Sequence, residues 1–352
     1  MPEELRLILA FGLAAGFVQL TVPLAIRLAM RTGFLDQPVG YKKHGRPTPY
    51  LGGLGVMAAC LPIALVLGAG STGVLVILAC AAGLCLVGTA DDRVGLGPLT
   101  RVLAEITAAV ALWQAGLGWA LFDEGALNLA LTTVWVVGLV NAFNLMDNLD
   151  GATGTVAGVS AAGAGALAIA HGKPMLALPA LAVSAACLGF LRFNLARPAR
   201  IFLGDGGSMP IGFIVAATVM AVPPESGFGT AAVFAVVPIV GLVVLDTTLV
   251  VVSRVRRGVH VLTGGRDHVT HRLLGQLGTP RTVALALGGA QALLCVLGVV
   301  LAGSTIITVF AASTAYVILG AAAIAALEWP SVREAAAIPG LTPTPAQQES
   351  GS

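Results

Sequence analysis

The feature that most limits this 352-residue chain is a repeat of long apolar runs broken by short polar loops. Eleven runs stand out, at about 5–30, 51–69, 73–90, 101–119, 126–143, 153–170, 174–191, 209–223, 228–252, 281–302 and 304–326. A membrane-crossing helix needs roughly 20 mostly apolar residues. Charged residues make up only 10% of the chain, against about 25% in a soluble domain. These facts predict an all-α, polytopic integral membrane protein with about eleven transmembrane helices. The expected organisation is one membrane domain over 1–330 and a polar, disordered tail over 331–352. The 45 glycines suit close helix contacts in lipid. All five cysteines lie in apolar runs without zinc-site spacing, so they read as small buried hydrophobes. Glu3 and Glu4 precede the first run where a signal peptide would carry basic residues. That run is therefore read as a retained transmembrane helix.

Fifteen of the 19 Lys and Arg fall in alternate loops. Arg31, Lys42, Lys43 and Arg46 fall in one, Arg93 and Arg101 in the next, then Arg192, Arg197 and Arg200, then Arg254, Arg256, Arg257, Arg266, Arg272 and Arg281. The intervening loops carry only Lys173. The positive-inside rule makes the basic set cytoplasmic. The N-terminus is then outside, the C-terminus cytoplasmic, and the expected location a bacterial inner (plasma) membrane. The net charge of +2 points to no partner such as nucleic acid. The same inner loops hold nearly every Asp, Asn and His able to do chemistry. A transporter, the main reading of a different class, would more often show repeat symmetry and polar groups at the bilayer midplane.

Five inner loops carry the chemistry. The first, DQPVGYKKHGRPTPYLGGLG, sets Lys43, His44 and Arg46 on a stiff segment that suits an anion, or a simple membrane anchor. In the second, GTADDRVGLGP, Asp91 and Asp92 adjoin at a helix end. Adjacent helical residues point about 100° apart, so the two can have separate tasks; an ordinary solvated helix end is the bland reading. The third, NAFNLMDNLDGATG, packs Asn141, Asn144, Asp147, Asn148 and Asp150 into ten residues. If it stays helical, Asn144 and Asp147 share a face, as do Asp147 and Asp150. Such hard oxygen donors suit Mg²⁺, and capping plus a polar turn would account for one or two of them. In the fourth, RFNLARPARIFLGDGGSMP, the Gly turn around Gly204 and Asp205 before a helix suits a phosphate held on backbone N–H groups. Asp205 would reach a metal, and Phe202 could stack on a base. The fifth, GGRDHVTHRL, gathers Arg266, His268, His271 and Arg272, which favour diphosphate over zinc because no third soft ligand accompanies the histidines. Asp246, inside GLVVLDTTLVVV, reads as a structural hydrogen-bonding group.

Together the loops offer carboxylates for a divalent metal, phosphate and diphosphate contacts and a membrane setting. That set fits phosphoryl-type transfer from a nucleotide-linked donor to a lipid phosphate. A CDP-alcohol phosphotransferase is disfavoured, because DGATGT lacks the required continuation.

With PTPYLGG, DDRVGLGP, NAFNLMDNLDG, FLGDGGS and RDHVTHRL in this order, the chain resembles the polyprenyl-phosphate N-acetylhexosamine-1-phosphate transferase family (glycosyltransferase 4) over about 5–326. It looks more like the branch using UDP-N-acetylhexosamines than the branch transferring phospho-MurNAc-pentapeptide, which is kept as the alternative. The resemblance implies Mg²⁺-dependent transfer, with Mn²⁺ as a substitute, of HexNAc-1-phosphate, foremost GlcNAc-1-phosphate. The donor would be a UDP-sugar and the acceptor undecaprenyl phosphate in the membrane lipid, releasing UMP and initiating cell-envelope glycans. A homodimer is compatible. By the same resemblance, Asp91 would deprotonate the lipid phosphate beside Asp92. Asp205 and Asn144 would bind metal, supported by Asp147. Asp150, Phe202 and Gly204 would bind the nucleotide. Arg266, His268 and His271 would bind diphosphate or sugar, with Lys43, His44 and Arg46 at the entrance. The chain departs from the family pattern at Asn148 (Gly), Thr270 (His) and Arg101 (Lys). None of these departures alters the implied reaction.

Overall fold

The computed structural model describes residues 1–37, 47–220 and 231–336. Among them the fold is all-α apart from one two-residue ladder. The helices are α1 (Glu3–Thr32), α2 (Gly52–Leu67), α3 (Thr72–Val94), α4 (Pro98–Gln114), α5 (Gly125–Met146), α6 (Ala152–Ala170), α7 (Pro174–Asn194) and α8 (Asp205–Met220), then α9 (Ala231–Val236), α10 (Gly241–Arg256), α11 (Val269–Leu277), α12 (Pro280–Ala302) and α13 (Ile306–Ala336). Strands β1 (Leu35–Asp36) and β2 (Thr48–Pro49) pair antiparallel, Leu35 with Pro49 and Asp36 with Thr48.

The protein is a multi-pass membrane protein. Among the described residues, eight helical segments are long and apolar enough to cross a bilayer, the α9–α10 stretch counting as one. Every one of the eleven apolar runs contains helix, but α2, with 16 residues, and α4, with 17, fall short of a full span. At 1.5 Å per residue, 16 residues cover only about 24 Å of a hydrocarbon core roughly 30 Å thick. The expected tail boundary at 330 falls inside α13, because SVREAA, residues 331–336, continues the helix. The rest of the tail, 337–352, lies outside the described residues.

Small residues decide which helices are central. α6 reads ATGTVAGVSAAGAGALAIA and is buried over 78% of its apolar window, whereas α13 is buried over 6%. Gly158 and Gly165 of α6 admit the Leu188 and Leu181 side chains of α7. Gly154 lies in this same contact, against Leu191 and Phe190, so it is a packing residue. α8 is buried at every position from Gly206 to Met220. Exposed leucines and phenylalanines on α1 and α13 leave those helices facing lipid.

Candidate active site

The site forms where α8 starts. The chain before it, Ile201–Gly204, runs beside the entry to α2. Phe202 N donates to Pro49 O at 2.9 Å, Gly52 N to Phe202 O at 3.0 Å and Gly53 N to Leu203 O at 2.7 Å. The close fit depends on missing side chains. A Cβ on Gly53 would stand 2.0 Å from the Gly207 nitrogen, and one on Gly88 of α3 would stand 2.3 Å from the Asp205 carbonyl oxygen. Gly88 therefore lets α3 press its last turn, with Asp91 and Asp92, against Asp205.

Carboxylates occupy this helix N-terminus. Asp92 accepts from Asp205 N and Gly206 N, both at 3.0 Å, and Asp147 accepts from Gly204 N at 3.1 Å. The remaining free amides, of Gly207 and Ser208, turn back to Gly204 O. This corrects the expected phosphate cradle at Gly204. A helix N-terminus attracts anions, but two of the protein's own carboxylates already fill that role. Asp92 is thereby the cap that fixes Asp205, with both its oxygens engaged.

Arg101 of α4 is the cation at the centre. Its Nη1 donates to Asp91 Oδ2 and to Asp205 Oδ2, each at 3.1 Å. Asn144 Nδ2 donates to Asp205 Oδ1 at 2.7 Å and to Ser208 Oγ at 3.0 Å. Asp91, Asp92, Asp147 and Asp205 thus converge from three chain segments. Among the described residues, Arg101 is the cation that ion-pairs with this group. Burial, and then the charge of Asp205, push the Asp147 carboxyl up to about 7 although the Gly204 amide opposes the shift. Burial, and then the charges of Asp92 and Asp147, also hold the Tyr50 hydroxyl well above its usual range.

This donor set fits a divalent cation. Negative charge exceeds the pairing cation, and the donors are hard oxygens. No three His, Cys, Asp or Glu side chains among the described residues converge to cage a metal by themselves. Mg²⁺ commonly takes only one or two carboxylates and completes its shell with water and substrate phosphate.

One cavity is lined by the group itself, and a second by the nearby Asp150 and Phe202. The first, of about 300 Å³, is lined by Phe34, Asp36, Tyr50, Asp91, Asp92 and Asp205, among others. The second, of about 340 Å³, is lined by Asp150, Phe202, Leu195, Arg197, Pro198 and Arg281, among others. The Tyr50 ring meets the Phe202 ring edge-on, with centroids 6.3 Å apart, so the two rings stand between the cavities.

The third loop is not helical throughout. α5 stops at Met146, and Asp147 caps it with φ −78° and ψ 55°. Asp147 and Asp150 therefore do not share a helical face. Asn148 Nδ2 donates to Leu145 O at 2.7 Å, and Gly151, at φ 81°, donates its N–H to Asn194 Oδ1 at 2.6 Å. Such side-chain bonds compete with helix continuation. Asn141 donates to Glu105 Oε2 of α4 at 2.6 Å, so it joins two helices.

The fifth loop lines neither cavity. His268 is buried, its Nδ1 2.8 Å from Asp246 Oδ2, and Val269 N donates to Asp246 Oδ1 at 2.7 Å. Asp246 is thus the structural anchor it was expected to be. His268 precedes α11 in extended conformation, yet its ring meets that of His271 edge-on at 6.3 Å. Burial, then Arg266 and His268, lower the His271 pKa to about 4. Arg266 is exposed. Neither Arg266, His268 nor His271 lines the two cavities. Lys43, His44 and Arg46 lie outside the described residues.

Sequence reasoning passed over Tyr50, Asn194 and Glu105. Asn194 ties the third loop to the fourth, since its Nδ2 donates to Ile201 O at 3.0 Å while its Oδ1 holds Gly151. A lone amide at the end of an apolar helix was a readable signal for it.

Residues 74–222, which carry this carboxylate group, match glycosyl transferase family 4. A decaprenyl-phosphate N-acetylglucosaminephosphotransferase of Mycobacterium tuberculosis (strain H37Rv) is 33% identical over 77% of this chain and 76% of its own length. The chain belongs to glycosyl transferase family 4. Two further relatives in this family support the placement. A probable undecaprenyl-phosphate N-acetylglucosaminyl 1-phosphate transferase of Bacillus subtilis (strain 168) is 28% identical over 77% of this chain and 78% of its own. An undecaprenyl-phosphate alpha-N-acetylglucosaminyl 1-phosphate transferase of Escherichia coli (strain K12) is 29% identical over 80% of each.

Proposed function

We propose that this family 4 enzyme transfers GlcNAc-1-phosphate from UDP-GlcNAc to a polyprenyl phosphate, giving a lipid-linked diphosphosugar and UMP. The carrying observation is the meeting of Asp91, Asp92, Asp147 and Asp205 from three segments around Arg101, beside a cavity. The names of the relatives favour GlcNAc over phospho-MurNAc-pentapeptide. The basic loops favour a cytoplasmic placement of this face in a bacterial plasma membrane.

In this reading Asp205 and Asn144 hold Mg²⁺, which would offset the charge of the donor diphosphate. Asp147 supports that site from the Gly204 turn. Asp92 keeps Asp205 in place through the α8 N-terminus. Asp91 takes the proton from the lipid phosphate. An oxygen of that phosphate then attacks the donor β-phosphorus, the bond from this phosphorus to the bridging oxygen breaks, and UMP carries the electron pair away. Asp150 and Phe202 hold the uracil in the second cavity, so the donor lies past Tyr50 with its diphosphate toward Asp205. Arg101 then has a further use, since its Asp91 and Asp205 pairs can be partly exchanged for phosphate oxygens.

The test is UMP release by purified protein. Turnover should require UDP-GlcNAc, polyprenyl phosphate and Mg²⁺ together, and Asp205→Asn should abolish most of it without loss of folding. No turnover with UDP-GlcNAc, or near-normal turnover by Asp205→Asn, would reject the reading.

A further inference from the structure

Asn148 and Thr270 had no role in the sequence, and in the structure they are partners. Thr270 Oγ1 donates to Asn148 Oδ1 across 122 positions of chain. The Asn148 amide is oriented by its other end, where Nδ2 donates to Leu145 O. Thr270 is fully buried.

The surrounding bonds show what this contact does. The loop before α11 is fastened to α10. His268 and Val269 bind Asp246, and Asp267 accepts from Arg254 Nε at 2.9 Å, Arg254 Nη2 at 3.0 Å and Arg257 Nη2 at 2.6 Å. Arg272 reaches Ser253 of α10 and Glu328 of α13. All these bonds stay within one body, made of α10, α11 and α13. The Asn148–Thr270 bond instead leads to the turn after α5, which carries Asp147 and Asp150. Side chains pack where α5 meets α10, but apolar packing is non-directional, whereas a hydrogen bond between two oriented groups fixes register.

We infer that Asn148 and Thr270 form a positioning clasp, which fixes the turn carrying Asp147 and Asp150, the nucleotide end of the donor site, against the α10–α11 body. Neither residue touches the reacting atoms. The inference rests on the transferase reading above. Loosening the clasp weakens capture of the UDP-sugar, because the turn that brings Asp150 to its nucleotide end loses its register on the α10–α11 body. In the transferase reading the polyprenyl phosphate meets Asp91 at the end of α3, which the clasp does not contact, so its capture is untouched. Chemistry at Asp91 and Asp205 continues once the donor is bound.

Thr270→Val removes the hydroxyl and keeps the shape, and Thr270→Ser keeps the donor. In steady-state assays with UDP-GlcNAc, Thr270→Val should raise the donor KM about tenfold, with kcat and the lipid KM within about twofold of wild type. Thr270→Ser should restore the donor KM. Asn148→Ala combined with Thr270→Val should be no worse than the stronger single variant, as expected for two members of one contact. Hydrogen exchange should quicken in both 148–151 and 266–272 in Thr270→Val. A wild-type donor KM in Thr270→Val, additive losses in the double variant, or quickened exchange in only one segment would overturn the clasp. Silence of the wild-type enzyme toward UDP-GlcNAc would instead reject the transferase reading, and the exchange experiment would still judge the clasp. If Thr270→Val does not fold, Asn148→Ala carries the same comparison from the half-buried side of the contact.

Discussion

Gly88→Ala puts the geometry of the site at risk with one methyl group. The new Cβ would lie 2.3 Å from Asp205 O, 2.4 Å from Asp205 C and 2.7 Å from Gly206 N. Ordinary contact begins near 3.4 Å, so α3 and the start of α8 must part by about 1 Å, an overpacking strain of roughly 1–3 kcal/mol. Ala is favoured over Gly inside a helix by about 0.8–1 kcal/mol, so the net stability loss is small. Activity is more sensitive. The shift acts on Asp205 itself and stretches the Asp92 bonds to the Asp205 and Gly206 amides, and a misplacement of about 1 Å can cost on the order of 100-fold in rate. Gly83, also in α3, is the control, since a Cβ there meets nothing within 4 Å. UMP release and thermal unfolding should be measured for both variants in the same detergent. The expected result is Gly88→Ala folded with about 1% of wild-type turnover, and Gly83→Ala near wild type. Gly88→Ala within about threefold of wild-type turnover would refute the close-approach argument.

Three further outcomes follow from the electrostatics. Arg101→Met leaves Asp91 and Asp205 without their shared guanidinium; because Arg101 is 28% exposed, the cost should be only about 1–2 kcal/mol. Thermal unfolding should show that loss in EDTA and its recovery in Mg²⁺, and an equal loss in both would contradict the cation-fit argument. The raised Asp147 pKa makes the metal-free folded state lose stability as pH rises from about 4 to about 7, since the native carboxyl keeps a proton that the unfolded chain has shed. A bound cation reverses this, so Mg²⁺ affinity by calorimetry should climb between pH 6 and 8 with proton release, and a flat profile would count against Asp147 as support for the metal. For His271 the sign is opposite. Its folded pKa, about 4, lies below the ordinary 6.5, so the stability it contributes is complete above about 6.5 and falls as the pH drops toward 4. Between pH 6.5 and 5 the loss should reach at most about 2 kcal/mol, seen as a fall in Tm that His271→Gln abolishes.

The sequence by itself determined the membrane-embedded helical fold, because apolar runs of bilayer length leave the backbone little choice but to bond within each helix. It also determined the chemistry on offer. Asp and Asn at the ends of apolar helices are costly unless used, so Asp91, Asp147 and Asp205 were legible one loop at a time. Tertiary structure decided their division of labour. Periodicity has no term for a carboxylate on α3 capping a helix 113 residues later, as Asp92 does for α8. A donor-rich Gly turn therefore read as a phosphate site when the protein's own carboxylates fill it. The same limit hid the partnership of Asn148 with Thr270. Each looks unremarkable in its own loop, and only packing of α10 against α5 brings the hydroxyl to the amide. Local sequence sets what each segment can offer; contacts between distant segments, which depend on glycines as small as Gly88 and Gly53, set which offers are taken.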